Sequence, residues 1–130
     1  MPQKNTAGQN AYLVALQHGL QSDWEVEDSL AELAELASDA GLNVVETIVQ
    51  RRSEPEPGTF IGSGKALEIA EMLDENSIVI FDDELTPSQQ GNLSDHMDAP
   101  VIDRTQLILD IFAQRARSNE GKIQVELAQL

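Results

Sequence analysis

A chain of 130 residues without cysteine holds one domain's worth of core and excludes disulfides and thiolate metal sites. Hydrophobic residues make up 41% of it but aromatics only 4%, so Leu, Ile, Val and Ala must build the interior. Lys and Arg number 8 against 23 Asp and Glu, a formal charge of −15, which disfavours a nucleic-acid partner by composition and makes local clusters of the few cations the better guide.

The acids are spread along the chain instead of forming one block. A solvated acidic surface, as a halophile's high-salt cytoplasm demands, therefore fits better than an acidic interaction tail. At ~1 M salt the screening length is about 3 Å, and net charge then says little about partners. The amino terminus, MPQKNTAGQN, lacks the apolar stretch of a signal peptide, and no run reaches transmembrane length. A cytoplasmic protein with no membrane partner is expected.

Residues 11–17 (AYLVALQ) form an apolar run that reads as a buried strand, and 18–27 (HGLQSDWEVE) read as a loop. Ser29-x-x-Glu32 has the pattern of a capping box, followed by Leu30, Leu33, Ala34 and Ala37 at helical spacing and Gly41 as the stop. Residues 43–51 (NVVETIVQR) are rich in β-branched side chains and predict a second strand; RRSEPEPGTF is a loop. A second helix is predicted from about Ser63 to Asn76 on the stripe Ala66, Ile69, Ala70 and Leu73, then a third strand over 77–83 (SIVIFDD). Thr86-Pro87-Ser88-Gln89 supplies a cap, a first-turn proline and a capping-box glutamine for the third helix. PVIDR (100–104) is a short fourth strand. Asp103 or Thr105 can cap the fourth helix, with Leu107, Ile108, Ile111 and Phe112 facing inward.

Four alternations of strand and helix with short connections predict a small four-stranded parallel α/β sheet with helices on both faces, in the simple order 2-1-3-4. The segment after Gly121 restarts helical spacing at Ile123, Leu127 and Leu130 without completing a helix. More sequence is expected beyond it, and a fragment of this kind can dimerise by pairing its carboxyl-terminal helices.

TFIGSGKALEI (59–69) has the look of a phosphate loop but fails the G-x-x-x-x-G-K-[ST] spacing: Thr59 stands where the first glycine belongs, and Ala66 follows Lys65. Two readings stay open. Gly62, Ser63 and Gly64 can present backbone N–H groups to an anion at a helix start with Lys65 adding charge, or the glycines permit a tight turn and Ser63 caps the helix. Arg51, Arg52 and Arg104 leave the carboxyl ends of strands two and four, and Lys65 opens a helix at the same edge, where open α/β sheets bind ligands. Together the four point to a phosphate-bearing partner.

Asp82 and Asp83, with Glu84, end the third strand there. They suit a hard cation such as Mg²⁺ or a role as bases, or they pair with neighbouring arginines or cap a turn. His18 and His96 lack partners at metal-ligand spacing, and Trp24 sits among acids where it packs the loop down. No nucleophile–base constellation stands out, so no complete active site is expected. An ATP-binding or ATP-hydrolysing domain is the alternative that the glycine turn and Asp82-Asp83 keep in play.

VVETIVQRR, TFIGSGKALEI, IVIFDDELTPSQQGNL and VIDRTQLILDIFAQRARSNEGKIQVELAQL, in that order, resemble the amino-terminal region of the HflX family of ribosome-associated GTPases over roughly residues 28 to 130. The resemblance implies an α/β domain over 1–106 and the start of a helical subdomain over 107–130. A G domain carrying GTP and Mg²⁺ belongs to the full-length family and is absent from these residues, for which no cofactor is expected. It implies the large ribosomal subunit and its rRNA as partner, contact with the downstream G domain, and a nucleotide- or rRNA-facing surface at Arg51, Arg52, Arg104 and the IGSGK turn, with no catalytic role assigned. ATP binding by this region is implied as well.

Overall fold

The computed structural model describes residues 8–118. Among them, strands β1 (Asn10–Gln17), β2 (Asn43–Arg51), β3 (Ser77–Phe81) and β4 (Val101–Asp103) alternate with helices α1 (Asp23–Asp39), α2 (Ser63–Met72), α3 (Pro87–Met97) and α4 (Arg104–Ser118). The strands are all parallel, in the order β2-β1-β3-β4, which is the expected α/β architecture and order.

The side-chain period of two sorts β1 and β3 between two cores. Ala11, Leu13, Ala15, Ile78 and Ile80 meet Val26, Leu30, Leu33 and Ala37 of α1 with Leu107 and Ile111 of α4. Tyr12, Val14, Leu16, Val79 and Phe81 meet Ala66 and Ile69 of α2 with Leu93 and Met97 of α3. Both faces are therefore covered. That is why all of β3, and β1 beyond its first residue, are buried without alternation. Each fully buried Leu or Ile contributes about 1.5–3 kcal/mol relative to exposure. The edge strand β2 buries only Ile48 and leaves most of its length exposed, Val45 and Val49 included, and its register against β1 slips between Ala11 and Tyr12.

Helix α1 begins earlier than the sequence predicts. Its N-cap is Ser22, whose side chain accepts from the Glu25 amide while Glu25 reaches back to the Ser22 amide. The expected loop over 18–27 is thus helical from Asp23, and Trp24 stands 70% exposed on it instead of packing a loop down. Ser29, read as a cap, lies mid-helix and donates to Asp82. Helix α2 stops at Met72, short of Asn76: Asp74 Oδ1 accepts from the Asn76 amide and the Ser77 hydroxyl, and this local turn competes with a further helical turn. The third strand ends at Phe81 and the fourth spans three residues. Thr86 and Gln89 form the expected capping box. Asp103 caps α4, its Oδ1 accepting from the Gln106 amide at 3.0 Å and its Oδ2 from the Leu85 amide at 3.0 Å. Leu107 and Ile111 face inward as expected, Ile108 is half-buried, and Phe112 is exposed. The segment 121–130 lies outside the described residues.

A candidate phosphate-binding edge

Because every strand is parallel and every helix returns antiparallel to them, the carboxyl ends of β1–β4 and the amino ends of α1–α4 share one edge. Four positive helix termini converge there, the setting in which open α/β sheets recognise anions.

Arg51 closes β2. Its Nη2 donates to Asp23 Oδ1 at 2.7 Å, and the same oxygen accepts from Gln17 Nε2 at 2.9 Å. Those two contacts hold the Asp23 carboxyl below the ordinary 3.8, the Gln17 hydrogen bond being the larger cause. Arg52 donates from Nη2 to Glu56 Oε1 at 2.8 Å and from Nε to the Glu54 carbonyl at 3.3 Å. A cleft of about 620 Å³ opens between the ends of β1 and β2, lined by His18, Ser22, Asp23, Arg51 and Arg52 among others.

The IGSGK turn stands beside that cleft. Gly62 is the N-cap of α2 and offers no side-chain cap; its own amide donates to Gln50 Oε1 at 2.8 Å. An ideal Cβ on Gly62 would fall 2.9 Å from Arg52 Nη1 and 3.3 Å from Gln50 Nε2. Arg52 and the turn are therefore neighbours. Ser63 is the first helical residue and not the cap. Neither Gly62 nor Gly64 has a positive φ; Phe60, at φ 64°, supplies the left-handed residue of the approach. A Cβ on Gly64 would meet nothing within 4 Å. Lys65 Nζ lies 3.3 Å from Glu68 Oε1.

Arg104 belongs to the other layer. Its Nε and Nη2 both donate to Asp82 Oδ1, at 3.0 and 2.6 Å, and Nη2 reaches the Ser29 carbonyl at 2.8 Å. Nη1 adds Glu32 at 3.4 Å. Ser29 Oγ donates to Asp82 Oδ2 at 2.5 Å. Both Asp82 oxygens are thus engaged within the fold, and the guanidinium ties α4 to α1 across the end of β3. Asp83 Oδ2 faces the Leu16 amide at 3.5 Å. Burial pushes the Asp83 carboxyl above its ordinary value and Asp82 adds to this, while the Leu16 amide, His18 and Arg104 pull it back. No group of three or more potential metal ligands gathers among the described residues.

The edge therefore brings Arg51, Arg52 and the Gly62–Lys65 turn to the β1–β2 side and sets Arg104 with Asp82 on the α1–α4 side. Each of the four cations has a carboxylate partner in the fold. The Arg51–Asp23 pair is about 70% exposed on both sides. Exposed pairs of this kind contribute little to stability, so such a guanidinium exchanges its partner for a phosphate at little cost. Sequence reading missed Gln50, which holds the Gly62 amide, and Asp23, which holds Arg51; the signal was their place at the end of β2 and the start of α1.

The family model described as GTP-binding GTPase N-terminal matches residues 27–113. The chain belongs to that family. It is 53% identical over 112 residues to the GTPase HflX of Alkalihalophilus pseudofirmus, covering 85% of this chain and 26% of that protein. To the GTPase HflX of Escherichia coli it is 49% identical over 126 residues, covering 95% of this chain and 29% of that one. The chain thus spans under a third of the length of these relatives and is an HflX-type N-terminal domain. The crystal structure of SsGBP variant G235S superposes with a TM-score of 0.62 at 27% identity, over 94% of this chain and 38% of that one. The SsGBP and GDP complex superposes with a TM-score of 0.62 at 25% identity, over 93% and 34%. No described helix is long and apolar enough to cross a membrane.

Proposed function

We propose that this domain docks an HflX-type GTP-binding protein onto ribosomal RNA of the large subunit, receiving backbone phosphates at the β1–β2 side of its carboxyl edge. Arg51 and Arg52 give up exposed carboxylate partners to phosphate oxygens. The amino end of α2 adds its first-turn amides and dipole. Arg104 has a positioning role, holding α4 against α1. GTP binding and hydrolysis, with Mg²⁺, belong to a G domain outside this chain.

The observation that carries the reading is Gly64. A glycine within a helix costs up to about 1 kcal/mol relative to alanine, yet nothing in the fold occupies the space where its Cβ would be and its φ is not positive. A glycine there suits the close approach of an external group to the helix start.

Co-sedimentation with large subunits tests it. Gly64→Ala is expected to raise stability slightly and to weaken binding by the full-length protein. Arg51→Ala/Arg52→Ala is expected to weaken it further and to flatten its salt dependence. Unchanged binding by both variants would end the proposal.

The cleft of about 620 Å³ favours one second reading, a nucleotide such as ATP seated beside the start of α1. Calorimetry of this chain with ATP and Mg²⁺ separates the two; no heat near millimolar ligand would remove the nucleotide.

A further inference from the structure

Trp24, the single tryptophan of the chain, is 70% exposed on the first turn of α1, and Leu20, just before that helix, is fully exposed. Neither belongs to the buried stripe of α1, which begins at Val26. Water is a poor neighbour for a side chain of this size, and exposed apolar groups of this kind mark interaction surfaces when their surroundings are specific.

The surroundings are specific in charge. Helix α1 carries seven acidic residues and no lysine or arginine in its 17 positions. Trp24, Asp28, Ala31 and Glu35 are exposed at helical spacing along one outward stripe, flanked by Glu27. Asp28, Glu27 and Glu35 have no ion pair among the described residues. Helical stability does not explain them. Asp28 and Glu32 repel at i, i+4, as do Glu35 and Asp39, and the last two lie toward the negative end of the helix dipole. The face is electrostatically incomplete and is headed by an aromatic ring.

We propose that the outward face of α1 docks an arginine- or lysine-rich segment of a partner protein. A guanidinium stacks on the Trp24 indole, and further cations lie along Asp28 and Glu35. Charge complementarity selects this occupant: the same acidic face of a second copy, or a nucleic-acid backbone laid along α1, would be repelled from it. Cation–π attraction at the ring gives α1 a preference over other acidic surfaces of the domain. The inference does not rest on the phosphate-binding edge and survives its failure.

The test is a titration of the 130-residue chain with nona-arginine at ~0.15 M salt, followed by tryptophan emission, which Trp24 alone supplies. A saturable emission change is expected. Asp28→Asn/Glu35→Gln should weaken binding about tenfold, since it removes two partners of the bound cations. Trp24→Ala, followed by anisotropy of a labelled peptide, should weaken it about fivefold. Glu71→Gln/Asp95→Asn, on α2 and α3, should leave it within about twofold. Three results would overturn the proposal: no saturable change in emission, equal weakening by the α2/α3 pair, or the same change produced by a single-stranded RNA nonamer and equally weakened by Asp28→Asn/Glu35→Gln. All substituted side chains are exposed, and the wild-type titration decides the first point without any variant.

Discussion

A Cβ on Gly62 would stand 2.9 Å from Nη1 of Arg52. The N-cap of α2 is thus shaped by the side chain of a residue ten positions earlier. Gly62→Ala leaves φ at an ordinary −63°, and the obstacle is the far end of a flexible guanidinium. A stability loss of about 1 kcal/mol or less is expected from urea denaturation, together with displacement of Arg52 from Glu56. The phosphate binding proposed for this edge should fall even though the fold persists.

Arg104→Ala should be costly in a different way. It strips Asp82, whose side chain is 9% exposed, of its two guanidinium donors. A loss of about 2–3 kcal/mol is expected, and Arg104→Ala/Asp82→Ala should recover part of it because no carboxylate is then left unpaired. A double-mutant cycle in urea reads the coupling; additive losses would mean the pair does not act as a unit.

Asp103→Ala removes, at a position 5% exposed, the acceptor for both the Gln106 and Leu85 amides. The expected cost is about 2–3 kcal/mol, larger than for an exposed cap. Asp103→Asn keeps one acceptor oxygen and should lose less. Thermal unfolding of the two variants gives the order.

The raised carboxyl of Asp83 gives a pH dependence of definite sign. Burial favours its neutral form in the fold, with Asp82 adding to the effect. Below the ordinary 3.8 the group is neutral in both states and carries no charge penalty. As pH rises through the unfolded and then the folded value, the unfolded chain ionises more readily and stability is lost. Asp83→Asn should therefore stabilise the protein at about pH 7 and do little at about pH 3. Exposed Asp23, Glu25 and Asp74 shift the other way. The comparison must therefore be between the variant and wild type at each pH.

The architecture was legible because β1 and β3 are buried on both faces and so read as unbroken apolar runs, while Thr86 and Gln89 announce α3 by chemistry alone. The start of α1 was not legible. Around the start of α1 the S-x-x-E pattern is offered at both Ser22–Glu25 and Ser29–Glu32, and the second precedes a cleaner apolar stripe. Val26, four before Leu30, was the residue that favoured the first. The gathering of cations at one edge follows from parallel topology and was readable from strand ends. Their division between layers was not, since Arg104 finds Asp82 and Ser29 only after α1 and α4 share a face of the sheet. Nor could the role of Gly62 be read, because it depends on where the Arg52 side chain comes to rest.

Phe60 holds a left-handed backbone, φ 64°, that a bulky side chain adopts only at some cost. Its ring is buried and meets Phe81 edge-on at 6.0 Å between centroids, and its backbone exchanges hydrogen bonds with Glu56. Glycine would relieve the strain and lose the anchor. The strand-to-helix crossing that carries Arg52 at one end and Gly62 at the other is consequently fixed before any partner arrives. Its conformational entropy is surrendered during folding, and a ligand at this edge meets a rigid receptor that has little left to order.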